Sequence, residues 1–184
     1  EQGDSICSFK GEYSMNIIKL QRADSDKPNT NESTGQKIAN AAISWLGTPY
    51  QNNAMVRGVG VDCAYLLVAA VVESGLMPKD KLNIEDYSNE WHLHHSEEKY
   101  LKYVEQVADK VDLENDILEI GDFLLYQFGR CISHGAIYIG NGSVIHAFVD
   151  YGVIFSKLED VIFNDSRGRS RLRAVYRFRE EVTP

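Results

Sequence analysis

After Asn115 the spacing of apolar residues changes period, and this change constrains the fold more than any other feature of the chain. Before it, Ile38, Ala41, Ala42, Trp45 and Leu46 recur on one helical face, and Ala64 to Val72 is apolar on all sides apart from Tyr65. After it, Phe123 to Gln127, His134 to Ile139, Val144 to Phe148, Gly152 to Phe155 and Leu172 to Phe178 form short runs rich in β-branched and aromatic residues. Helices followed by an antiparallel meander predict an α+β fold, with N-terminal helices packed on a five- to six-stranded antiparallel sheet.

The helix boundaries are written in local chemistry. Ser33 and Gln36 have capping-box spacing, and Gly47 and Pro49 stop the first helix. Asp62 is placed to cap the second, which begins at Cys63, is buried, and ends before Gly75 and Pro78. Ser96-Glu97-Glu98 precedes a third helix running to about Val107, and Leu158 to Phe163 reads as one or two helical turns. From Gln21 to Thr34 no large apolar residue occurs, which reads as a linker, so the expected organisation is an arm and linker over residues 1–34 and a folded domain over residues 35–184. Ile6 to Leu20 suits a short hairpin or an arm.

A formal charge of −8 argues against a nucleic-acid partner, and the Arg-rich run from Arg167 to Arg179 alternates with apolar residues as a strand with a solvated face would. Three cysteines without CxxC spacing speak against a disulfide framework and a structural zinc site. No apolar run approaches the roughly 20 residues that span a bilayer, so no transmembrane segment is expected. The start Glu1-Gln2-Gly3-Asp4 does not read as a signal peptide.

Cys63 opens a helix directly after a capping aspartate, where free N–H groups and the helix dipole favour a thiolate. It would stand at the exposed end of a central helix; the opposing reading is a small buried hydrophobe. A nucleophile needs a base, and His134 and His146 lie on successive predicted strands. A two-residue Asn141-Gly142 turn puts residue 137 opposite 146 and sends the two imidazoles to opposite faces. A three-residue loop Gly140-Asn141-Gly142 puts 136 opposite 146 and brings them to one face. A regular hairpin that joins the histidines therefore needs three loop residues. Cys63 as nucleophile, His134 as base and His146 as its orienting partner would form a triad resting as a thiolate–imidazolium pair. Each histidine has an equally simple role as a hydrogen-bonded structural residue. His92, His94 and His95, with Glu97 or Glu98, offer a competing metal site, but surface histidines are the preferred reading and no metal or other cofactor is expected. Cys131 lies near His134 without a helix start and ranks below Cys63.

Gly47-Thr48-Pro49-Tyr50, Gly58-Val59-Gly60-Val61-Asp62-Cys63, Gly121-Asp122, His134-Gly-Ala-Ile-Tyr-Ile-Gly and Ile145-His146-Ala147, in this order, resemble the NlpC/P60 cysteine peptidases. The long loop between Tyr50 and Cys63, with Asp86-Tyr87 and Trp91-His92-Leu93-His94, is similar to the phage-tail-associated branch. The resemblance covers roughly Gln36 to Phe178. It implies a papain-like fold and hydrolysis of peptide bonds in peptidoglycan, typically between D-glutamate and a diamino acid. It matches Cys63, His134 and His146 to the catalytic triad, and Tyr50 to a tyrosine at the reaction centre that would donate to an oxyanion. It matches Asp62 to an aspartate that binds the stem's free amine. The expected partners are cell-wall peptides, with residues 1–34 available for a phage-tail or other protein, and the expected place of action is the cell wall. Two departures stand out: Ala64-Tyr65 replaces the usual Ser-Gly after the cysteine, and the Trp-Gly-Gly often found after the tyrosine is missing. The rivals from other classes are a noncatalytic tail or binding module and an acyl transferase or amidase acting on another substrate.

Overall fold

The computed structural model describes residues 32–82 and 99–180. Cys7, the arm, most of the linker and the His92–His95 segment lie outside them. The described elements from Ser33 onward belong to one unit. Helix α1 is Thr34–Ile43, β1 and β2 are Met55–Val56 and Gly60–Val61, helix α2 is Cys63–Glu73, and helix α3 is Lys99–Val104. Strands β3 to β8 follow as Ala108–Lys110, Phe123–Phe128, Cys131–Gly140, Ser143–Phe148, Gly152–Lys157 and Leu172–Phe178. Short 3₁₀ turns lie at Lys79–Lys81 and Val161–Phe163. The six later strands form an antiparallel sheet in the order β3-β8-β4-β5-β6-β7. The α+β expectation holds, and the sequence reading missed β3, a three-residue edge strand with one buried residue, and the two-residue strands β1 and β2 in the loop before Cys63.

The alternation of side chains divides the sheet into two apolar faces. Phe123, Leu125, Ile137, Ile145 and Val153 join Ile38, Leu66, Leu67 and Ala70 of the helices, and Trp45 just after α1, in the larger core. Leu124, Tyr126, Ala136, Val144, Val175 and Phe163 build a second cluster on the opposite face. Helix α2 buries most of its circumference, as its unbroken apolar run requires. Ser33 caps α1 through Gln36 N–H, but the Gln36 amide turns to Asn40, so only half of the capping box forms.

The Gly121-Asp122 pair fixes how α1 meets the sheet. A Cβ on Gly35 would lie 1.8 Å from the Ile120 carbonyl oxygen, and one on Gly121 would lie 2.3 Å from Gly35 Cα, so the two backbones touch where side chains have no room. Beside this contact Asp122 is buried and receives Arg177 Nε and Nη2 at 2.8 and 2.9 Å, with Glu119 N–H at 2.8 Å.

The β5–β6 hairpin solves the register differently from either expected loop. Asn141 and Gly142 have φ of 51° and 66°, the pattern of a two-residue turn with both central residues in the left-handed region. A bulge between Tyr138 and Gly140 then takes up one residue, so Ile137 pairs with Ile145 and Tyr138 with Val144. That is the register of the three-residue loop, reached with a tight turn and a bulge. It puts His134 and His146 on one face.

Candidate active site

Asp62 has both side-chain oxygens engaged by backbone. Oδ1 accepts from Ala64 and Tyr65 N–H at 3.1 and 2.9 Å, and Oδ2 accepts from Asn53 N–H at 2.7 Å. With 0% exposure it caps α2 and ties the preceding loop to it, rather than facing a substrate amine as the resemblance implied. The loop is further fixed by Glu73, whose Oε2 accepts from Trp45 Nε1 at 2.9 Å and pairs with Arg57. Tyr50 is carried on the same frame: Gln51 N–H and Val61 C=O, and Val61 N–H and Pro49 C=O, bond at 3.1 and 3.0 Å. The phenol of Tyr50 is half-buried beside Cys63, and burial, then the neighbouring Cys63 and Asp62, push its pKa up, so it stays protonated and able to donate.

Cys63 meets the sheet where β5 leaves its neighbour. The paired residues of β5 and β6 run only from Ile137 to Gly140 on β5. Upstream, the β5 edge offers its backbone to the thiol instead. Cys63 Sγ donates to the Ser133 carbonyl at 3.6 Å, and Gly135 N–H approaches the sulfur in a hydrogen bond that favours the thiolate. The residues on either side of His134 thus hold the thiol. Tyr100 on α3 closes the site from the helical side by donating to the Cys63 carbonyl at 3.0 Å. The sequence reading predicted this helix without connecting Tyr100 to Cys63. The signal was Gly135: a Cβ there would lie 2.1 Å from Tyr100 Oη and 3.1 Å from Leu67 Cδ2. Gly135→Ala is therefore expected to lower stability by about 1–3 kcal/mol through overpacking, against about 1 kcal/mol for Tyr100→Phe. Thermal denaturation of the two variants checks the order, and an unchanged midpoint for Gly135→Ala would remove Tyr100 from this role.

The two histidines are joined directly. His134 Nε2 and His146 Nδ1 lie 2.9 Å apart, and His146 Nε2 lies 3.0 Å from Ser156 Oγ. Ser156 was missed because the predicted β7 ended at Phe155. It pairs with Val144, two residues before His146, and strand alternation puts it on the His146 face. If His134 Nδ1 is to accept a proton, its Nε2 must carry hydrogen and donate to His146 Nδ1, and His146 Nε2–H then donates to Ser156. The chain His134–His146–Ser156 is consistent with one orientation of every proton.

Aromatic rings surround this relay. Phe128 and Phe148 lie 5.5 and 5.8 Å from the His134 ring, and Phe163 lies 5.2 Å from that of His146. Burial lowers the His134 pKa to about 3 and pushes that of His146 well below the ordinary range, with His134 adding to the latter. The Cys63 thiol is pushed up to about 12, first by burial and then by Asp62, against the backbone N–H groups that favour the thiolate. The expected exposed position of Cys63 is corrected, since the residue is only 7% exposed, and burial works against the thiolate–imidazolium pair that the helix start favours. Burial therefore favours the neutral thiol and the neutral imidazoles in the free protein. Iodoacetamide should consequently label Cys63 on the order of 10²–10³ times more slowly at pH 7 than an open thiol, with a rate that climbs towards pH 12. A rate already level below pH 7, read by peptide mass mapping, would contradict the neutral resting pair.

Cys131 is fully buried on β5. Among the described residues no group of three or more His, Cys, Asp or Glu side chains is arranged to hold a metal, and no helix is long and apolar enough to cross a membrane.

The NlpC/P60 family model matches residues 47–170. Among solved structures, NlpC1 from Trichomonas vaginalis is 18% identical, covering 83% of this chain and 46% of its own, with a TM-score of 0.56. An NlpC/P60 family protein from Bacillus cereus ATCC 10987 is 21% identical, covering 80% of this chain and 41% of its own, at 0.53. The NlpC/p60 domain of the peptidoglycan hydrolase SagA is 18% identical, covering 79% of this chain and 100% of its own, also at 0.53. The chain thus spans less than half the length of the first two, and at these identities the likeness is one of fold. No curated protein matches it.

Proposed function

The chain belongs to the NlpC/P60 family, and from that premise we propose that it is a cysteine peptidase hydrolysing amide bonds in peptidoglycan stem peptides. The observation that carries this reading is the seat of the Cys63 thiol, held by the Ser133 carbonyl and Gly135 N–H on either side of a histidine that is itself bonded to a second histidine. In the mechanism, Cys63 loses its proton to His134 Nδ1 as the sulfur attacks the scissile carbonyl. The His134 imidazolium keeps its Nε2–H on neutral His146, whose burial preserves it as an acceptor. Tyr50 and the Cys63 backbone N–H donate to the oxyanion. His134 then protonates the leaving amine, and water, deprotonated by the same imidazole, releases the acid from the thioester.

The finer reading is cleavage between D-glutamate and the diamino acid at the cell wall, by a member of the phage-tail-associated branch whose residues 1–34 engage a tail or other protein. The long loop from Gln51 to Val61 supports the branch. Asp62 acts here by positioning α2 and the loop carrying Asn53. Digestion of defined muropeptides followed by mass analysis tests the proposal: two fragments separated at the glutamyl–diamino acid bond are expected. Intact muropeptides would favour a noncatalytic binding module, and transfer to an added amine in place of hydrolysis would favour the acyl transferase.

A further inference from the structure

We propose that Arg171 is a specificity-determining residue that receives a substrate carboxylate beside the histidine pair. The inference rests on the stem-peptide reading and adds to it the feature of the substrate that is recognised.

Arg57, Arg169, Arg177 and Arg179 each pair with a carboxylate. Arg171, like Arg130, Arg167 and Arg173, has no carboxylate within ion-pair distance among the described residues, and it differs from these three in stacking on an aromatic ring that itself meets His134. It is nevertheless held firmly. Its Nε donates to the Asn164 carbonyl at 2.9 Å and its Nη1 to the Gln127 carbonyl at 3.4 Å, and its Cζ lies 4.6 Å from the centre of the Phe128 ring. The neighbouring Asp165 is engaged with Arg169 and with the Arg167 and Arg169 N–H groups. Two of the five guanidinium N–H groups are used in these bonds, and the remaining three lie on Nη1 and Nη2, the edge that receives a carboxylate in parallel hydrogen bonds. Arg171 is partly exposed, so that edge can be reached from solvent.

Its place relative to the chemistry follows from the ring contacts. Phe128 carries Arg171 on one side and meets the His134 ring at 5.5 Å. The guanidinium therefore lies no farther from the imidazole than the two contact distances laid end to end, a span covered by about three extended residues. A stem peptide with its scissile bond at Cys63 carries carboxylates within that reach, on the glutamyl α-carbon and at the peptide's C-terminus. Both present the same chemistry to Arg171, and separate amidation distinguishes them.

The test uses the full chain carrying Cys63→Ala, so that peptides bind without being cleaved. Calorimetric affinities are compared for three stem peptides: one with all carboxylates free, one amidated at the glutamyl α-carboxyl, and one amidated at the C-terminus. One of the two amidations is expected to weaken binding about tenfold, and that penalty should vanish when Arg171→Gln is added and be partly kept by Arg171→Lys. Equal affinity for all three peptides, no binding of any of them, or a penalty that survives Arg171→Gln would overturn the proposal. The comparison among peptides on the Cys63→Ala chain decides even where Arg171→Gln fails to fold. Failure of the enzymatic reading appears separately, as peptides that bind with the carboxylate preference but are left intact by the unmodified chain.

Discussion

Cys63→Ala should lower release of peptide fragments from purified peptidoglycan by about 10⁴-fold or more, since removing the nucleophile of a covalent mechanism leaves only binding and oxyanion stabilisation. The fold should survive. The thiol donates one long hydrogen bond to the Ser133 carbonyl and receives Gly135 N–H, while the helix start is held independently by Asp62. Loss of a single buried sulfur should cost about 1 kcal/mol, so circular dichroism and the denaturation midpoint should stay close to those of the parent. Release at the parent rate would mean that another residue performs the attack.

Arg177→Met is expected to have the largest effect on stability, about 3–5 kcal/mol. Asp122 is fully buried, and the fork of Arg177 supplies two of its hydrogen bonds; the Glu119 N–H supplies another. Removing the guanidinium leaves a carboxylate desolvated without its counter-charge, and it also frees the Ile117 carbonyl and Glu119 from the same side chain. This network lies where the Gly35 and Gly121 backbones touch, so α1 should loosen with it. Urea denaturation measures the loss, and a change below about 1 kcal/mol would show that the pair is screened well enough to be dispensable.

Much of the fold was legible because its determinants are local. The unbroken apolar run after Cys63 required a buried helix, and the β-rich runs after Asn115 marked five of the six strands of the large sheet. The edge strand Ala108–Lys110 was not legible, because one buried residue in three leaves no alternation to read. The histidine pair was legible only in part. Hairpin parity required an extra residue between His134 and His146, but whether it would enlarge the loop or form a bulge depends on the backbone at Gly140, whose φ is +91°. Ser156 and Tyr100 reach the site through register and a helix approach that no spacing in the sequence encodes.

The electrostatics were the least legible. Helix-start position argued for a thiolate, but the balance is set by how many apolar groups cover the sulfur and the imidazoles. Phe128, Phe148 and Phe163 come from three separate segments to cover the imidazoles. Asp62 was ambiguous for a related reason: one aspartate before a helix can serve as cap or as substrate ligand, and its burial and three backbone N–H partners show the capping role.

The central claim is that Cys63 and His134 act as one unit, and the rates of Cys63→Ala, His134→Ala and the double variant on one defined muropeptide test it most directly. If the two residues share a single proton-transfer step, the double variant should be no slower than the slower single variant. If the two losses multiply, each residue contributes independently, and the paired mechanism is contradicted.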